Sequence, residues 1–189
     1  SKIIKKDVGA FDFLNKPEKE RIFLVVMLVV SLATTMFFHY KVMTSYPTVS
    51  DEFAYLFQAN ILTSGRLYAP SPPLSDFFQT EFIINNQDND GKWYSKYTIG
   101  WPMLLAVGRL TGLEFLVNAV LAALSILVLY KTARRTAGAA AAVIAVILAL
   151  VSPFFTTSAA TYFSHTSSGF FTLLYFYALI RIFEEKSII

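Results

Sequence analysis

The chain contains no cysteine. That removes any disulfide framework, any Cys/His zinc set and any thiolate chemistry. Charge is also sparse. Only 15% of the 189 residues are Asp, Glu, Lys or Arg, where soluble chains average about 25%. A soluble domain of this length would need far more polar surface to cover its core. No basic stripe with interleaved aromatics runs along a polar face, so nucleic acid is not an indicated partner. There is no G-x-G-x-x-G, no Walker loop and no Ser-centred nucleophile elbow. The usual signatures of nucleotide-dependent and serine-hydrolase chemistry are therefore missing. No Asn-x-Ser/Thr sequon occurs either.

What fills the chain instead is hydrocarbon. Hydrophobic residues make up 55%, with eighteen Phe and ten Tyr, and the mean hydropathy is +0.52. This is the composition of a membrane protein. Residues 1–21 are polar and basic, and the run 22–40 (IFLVVMLVVSLATTMFFHY) follows. A helix needs about 20 apolar residues to cross a bilayer, and this run supplies them. Phe37, Phe38 and Tyr40 close it as an interfacial aromatic belt, with His39 among them. The run has no A-x-A-like cleavage site at its outer end, so it reads as a retained anchor rather than a signal peptide. Further spans are expected at 113–130, 136–153 and 161–183, before a short end at 184–189. The prediction is an all-α membrane protein with about four transmembrane helices. Interfacial helices and a small β-hairpin are expected in a long first outer loop, 41–112.

Lys and Arg set the orientation. The N-terminal tail, KTARR at 131–135 and the RIFEEK end all belong in the cytoplasm. Crossings at the expected spans satisfy all of these. The insert 41–112 and the short loop 153–165 then face outward. Asp51, Glu52, Lys96 and His165 fall on that one face.

Within the insert, Phe53, Leu56, Phe57 and Ile61 recur at helical spacing, with Ser50 as a candidate N-cap and Gly65 as a stop. Such a helix could lie in the membrane interface. APSPP at 69–73 breaks it. EFIINN and KWYSKY read as short strands around the QDNDG turn. Residues 99–112 suit an interfacial helix starting at Trp101–Pro102.

Several residues carry two readings. Asp51 and Glu52 fit a dipole-favoured helix start, and equally a general base or a metal-binding carboxylate at the membrane surface. Lys96 is either a snorkelling interfacial lysine or a cation for a lipid phosphate. His165 is either a satisfied interfacial histidine or a metal ligand, proton carrier or substrate contact. Asn86, Asp88, Asp90 and Gly91 match the start of a calcium loop, but the twelfth position is Tyr97 rather than Glu, and an Asp-Gly hairpin turn explains the stretch better. Asn118 is expected to hydrogen-bond between helices.

In order, SDEFAYLFQANILTSGRLY, DGKWYSKYTIGWPMLLAVGRLTG, LVNAVLAALSILVLYKTARRTAG and SPFFTTSAATYFSHTSSGFFTLLYFYAL resemble the N-terminal part of the polytopic GT-C glycosyltransferases. The resemblance is to the protein O-mannosyltransferase-like and aminoarabinose-transferase-like group, over residues 20–183. It implies an inverting membrane transferase that takes a sugar from a polyprenyl-phosphate donor. The acceptor would be a protein, lipid or glycan, and the active face extracytoplasmic, with a bacterial inner membrane expected. Asp51 matches the family's outer-loop acid, with Glu52 beside it as a second catalytic candidate. Lys96 matches the family's Lys before the interfacial helix. With Tyr97 and His165 it is expected to bind the lipid phosphate. His165 stands where relatives carry an acidic or polar residue, which departs from a two-carboxylate site. A divalent metal could replace or assist the lysine, with Glu52 and His165 as its candidate ligands. Relatives have more spans and often a soluble C-terminal domain, so the chain is expected to be a piece of a longer protein or a reduced member. The alternatives are a non-catalytic lipid-binding or assembly subunit, and a small transporter, against which the near absence of charge within the spans argues.

Overall fold

The computed structural model describes residues 9–86 and 91–186. After a 3-10 turn at Gly9–Asn15, helix α1 runs over Pro17–Lys41, and α2 over Ser50–Thr63. A small sheet follows, made of β1 (Ala69–Pro70), β2 (Ile83–Asn86) and β3 (Lys92–Ser95). Then come α3 (Gly100–Leu110), α4 (Leu116–Ala137), α5 (Ala139–Leu150), α6 (Pro153–Ala160) and α7 (His165–Lys186).

The protein is an all-α membrane protein with a small sheet between α2 and α3. Helices α1, α4 and α7 are long and apolar enough to cross a bilayer, and α5 with α6 passes the same test as a pair bent by 59°. Helix α1 is polar inward. Its buried residues are Ser31, Thr35 and His39, at spacings of i, i+4 and i+8, while Ile22, Val25, Val26, Val29 and Phe37 are exposed. Only a lipid-facing helix gains from that inversion, because hydrocarbon outside costs its apolar face nothing and buried polar groups can bond between helices. His39 therefore leaves the interfacial belt expected of it. It is 4% exposed, and its Nδ1 lies 2.8 Å from the Ala160 carbonyl.

The third span differs from the sequence reading. Helix α5 has twelve residues, about 18 Å at 1.5 Å per residue, short of a hydrocarbon core of about 30 Å. The stretch expected as an outer loop is instead helix α6. Ser152 caps it by accepting from the Phe155 amide at 3.4 Å, and Pro153 takes the first turn, where its missing N–H costs nothing.

Helix α2 also starts differently from the expected Ser50 cap. Its N-cap is Val49, which makes no side-chain cap bond. Glu52 instead reaches back to Thr48, accepting from its hydroxyl at 3.2 Å and its amide at 3.4 Å. Gly65 ends the helix at φ +71°, the left-handed conformation that glycine takes without strain.

The expected hairpin is β2–β3, and β1 adds to the other side of β3, giving the antiparallel order β1-β3-β2. Residues 87–90, with Asp88 and Asp90 of the calcium reading, lie outside the described residues. Gln58 fastens the sheet to α2. Its Oε1 accepts from the Ser95 amide at 2.9 Å, and its Nε2 donates to the Leu67 carbonyl at 2.9 Å.

Apolar clusters hold the bundle, and one of them packs Leu14 against Ala139 and Val143. At one end, Tyr55 and Ala59 of α2, Trp101 and Leu105 of α3, Leu121 of α4 and Tyr162 pack together. At the other, Ile126 and Tyr130 of α4 meet Ala142 and Val146 of α5, with Phe23 and Met27 of α1 against them. Gly108 lets α3 turn closely into α4, since a Cβ there would stand 2.5 Å from Val117 Cγ2 and 2.9 Å from Glu114 Cα. The ionic contacts near the second cluster are Arg134 with Glu20, at 3.4 Å, and Arg135 with Glu184.

Candidate active site

The adjacent acids Asp51 and Glu52 occupy the first turn of α2. Successive residues on a helix point about 100° apart, so one helix cannot present both to the same place. Glu52 points into the protein and is 0% exposed. Its Oε2 accepts from the Tyr162 amide at 3.1 Å, and Oε1 faces Thr48. Asp51 stays half-buried and faces Tyr97.

Tyr97 follows the sheet, just before α3. Partial burial, then the hydrogen bond to Asp51 and the charge of that carboxylate, push its hydroxyl above the usual tyrosine range. Its ring lies 4.6 Å from that of Tyr55 and stacks on Phe82 at 6.0 Å. Lys96 is exposed. Its Nζ sits 4.0 Å above the Phe82 ring and 5.5 Å from the Tyr97 ring centroid. Among the described residues no carboxylate pairs with it. The aromatic faces hold the ammonium in place while leaving its donors free.

A pocket of about 540 Å³ opens beside this group. Tyr55, Tyr97 and Thr98 line one wall, Ser164, Ser167 and Ser168 of the α7 start line another, and Trp101, Leu104 and Phe171 supply apolar surface. All of these side chains are uncharged. Tyr55 and Ser164 meet across the pocket wall, hydroxyl to hydroxyl, at 3.1 Å. A carboxylate, a free ammonium and a hydroxyl-lined cavity therefore stand within one neighbourhood around Tyr97.

His165 does not join them. It lines a separate, apolar pocket of about 410 Å³ with Phe154, Phe155, Ser158, Thr166 and Leu173, and its ring meets the edges of Phe154 and Phe163. Among the described residues no three His, Cys, Asp or Glu side chains gather where a metal ion could be held. The structure thus brings Asp51, Lys96 and Tyr97 together, and leaves Glu52 in the core and His165 on another side of α7.

Residues 97–188 match the family of dolichyl-phosphate-mannose-protein mannosyltransferases. The match bears out the resemblance to GT-C glycosyltransferases, and supports a membrane glycosyltransferase of the mannosyltransferase-like type. No curated protein and no solved structure matches the chain. The mannosyltransferase match begins at Tyr97 and takes in α3 to α7, and with them most of the pocket wall. Asp51, Glu52 and Lys96 precede it.

Sequence reasoning missed the pocket hydroxyls and the role of the turn at 161–164. Tyr55 had a signal, since it lies one turn from Asp51 on the same helix. The serines of SHTSS at 164–168 did not, because nothing local says which helix they will face.

Proposed function

We propose that the protein transfers a sugar from a polyprenyl-phosphate donor to an acceptor hydroxyl on the non-cytoplasmic side of the membrane. The observation that carries this is that Asp51 and Lys96 both lie against Tyr97, which itself lines a pocket of uncharged hydroxyls. The mannosyltransferase match of the adjoining segment supports it. Lys16, Lys19 and Arg21 before and in the first turns of α1, and the ion pairs of Arg134 and Arg135, lie toward the opposite helix ends, which supports an outward-facing site.

The chemistry follows from those groups. Asp51 takes the proton of the acceptor hydroxyl. The hydroxyl oxygen attacks the anomeric carbon from the face opposite the phosphate, forming the new glycosidic bond. The anomeric carbon–phosphate oxygen bond breaks, its electron pair leaves on the polyprenyl phosphate, and the configuration inverts. Lys96 faces the charge that grows on the departing phosphate, where a preplaced cation acts most strongly. Tyr97 holds the Asp51 carboxylate in place and remains a neutral hydroxyl. No step needs a metal.

The test is transfer from radiolabelled polyprenyl-phosphate mannose by the full-length protein in proteoliposomes. Asp51→Asn is expected to lower transfer by about a hundredfold or more, the range for loss of a general base, with donor binding retained. Wild-type transfer by this variant refutes the assignment.

A further inference from the structure

Glu52 lies beside the proposed base yet has no access to the pocket. It is fully buried, and both of its carboxylate oxygens are engaged within the chain. Its long-range partner is the amide of Tyr162, 110 positions away in sequence, in the turn between α6 and α7.

That turn is held by side chains from the rest of the outer end. The Ala160 carbonyl faces His39 Nδ1 at 2.8 Å. Asn118 Nδ2 donates to the carbonyls of Thr161 at 2.6 Å and Phe163 at 2.9 Å. Trp101 Nε1 donates to the Tyr162 carbonyl at 2.8 Å. Helix α7 then begins, and Ser164 Oγ meets the Tyr55 hydroxyl. Among these side chains Glu52 is the one that accepts from the turn's main chain rather than bonding its carbonyls. Tyr162 is thus held at both its amide and its carbonyl.

The consequence reaches the pocket from both sides. Glu52 and Tyr55 are three residues apart on α2, so they share a face, and both touch the segment 162–164. Those contacts set the rotation of α2 about its axis. Asp51, one residue before Glu52 and about 100° around the helix, then faces Tyr97 rather than lipid. The same contacts set the start of α7, which carries Ser164, Ser167 and Ser168 into the pocket.

We propose that Glu52 is a positioning residue, a buried clasp between α2 and the α6–α7 turn, and neither a proton carrier nor a metal ligand. The proposal rests on reading Asp51 as the base. Its test needs a measurement that does not depend on activity. The chain has no cysteine, so spin labels at Asn60→Cys on α2 and Thr172→Cys on α7 report the α2–α7 distance by pulsed electron resonance without further substitution. Glu52→Gln keeps an acceptor for the Tyr162 amide. It is expected to retain the narrow wild-type distance and transfer within about threefold of wild type. Glu52→Ala is expected to broaden the distance and lower kcat by tenfold or more, more than it changes KM for the donor. If Glu52→Gln is as inactive as Asp51→Asn while its distance stays narrow, Glu52 is a catalytic residue and the clasp is overturned. An unbroadened distance in Glu52→Ala also overturns it. Should Glu52→Ala not fold, the glutamine variant still decides between the two. If even the wild-type protein transfers no sugar, the glycosyltransferase reading fails, and the distances still decide whether Glu52 clasps the turn.

Discussion

Removing the amide of Asn118 should loosen the end of the bundle that holds the α6–α7 turn, and the size of the effect can be worked out. Asn118 is 2% exposed in α4. Its Nδ2 stands 2.6 Å from the Thr161 carbonyl, 2.9 Å from Phe163 and 3.4 Å from Ser158. An amide nitrogen has two hydrogens, so the two short contacts are the real bonds and the longest is marginal. Hydrogen bonds between membrane helices average about 0.6 kcal/mol and reach about 1.7. Losing two therefore costs roughly 1–3 kcal/mol. Asn118 Oδ1 is buried with no partner, and Asn118→Leu removes that unpaired acceptor, which returns part of the loss. The net expectation is a destabilisation of about 1–2 kcal/mol, or roughly five- to thirtyfold in the folding constant. Reversible unfolding in mixed detergent–dodecyl sulfate micelles measures it. An Asn118→Leu variant as stable as wild type, or more stable, would show that these bonds do not hold the turn.

Two further outcomes test the group around Tyr97. Lys96→Met should lower transfer from the lipid-linked donor by a hundredfold or so, the scale for losing one preplaced donor to a developing charge, with Lys96→Arg keeping part of it; equal transfer by the methionine variant removes the lysine from the mechanism. Tyr97 has a hydroxyl held above its ordinary pKa, so it stays protonated in the folded chain where the unfolded chain ionises. Its contribution to stability is complete below about pH 10 and is lost as pH rises above that, by linkage. Thermal melts of Tyr97→Phe should therefore lose less Tm than wild type between neutral pH and above pH 10, and parallel losses would count against the Asp51–Tyr97 contact.

Much of the fold could be read from the chain because hydrocarbon runs and Lys/Arg clusters act locally. The span at α1, the helix of α2 and the β2–β3 hairpin follow from residues within each segment. The errors come where a local signal was overruled by packing. His39 was read with its aromatic neighbours, yet Ser31 and Thr35 precede it at four-residue spacing and mark an inward polar stripe. That stripe was visible in the sequence. The break at Val151–Ser152 was visible only as Pro153, and proline starts a helix as readily as it stops one. Ser50 had the right chemistry for a cap, but Thr48 and Glu52 form a competing arrangement that uses the acid's long side chain. The serine side of the pocket was not legible, since Ser164 and Tyr55 are 109 positions apart and only the packed bundle makes them neighbours.

The pair Asp51–Glu52 shows why adjacency in sequence misleads at a site on a helix. Two neighbouring acids look like a shared chemical unit, a metal pair or a base with its assistant. Helical geometry separates them instead. One must turn toward whatever the helix packs on, and it can remain there only if donors meet it, because a buried carboxylate without partners is very costly. Glu52 has those donors in Tyr162 and Thr48. Once it is fixed, Asp51 is turned about 100° away from it, toward Tyr97. The buried acid thus determines the direction of the exposed one. A substitution that keeps the charge of Asp51 but frees Glu52 would leave the chemical group intact and send it elsewhere.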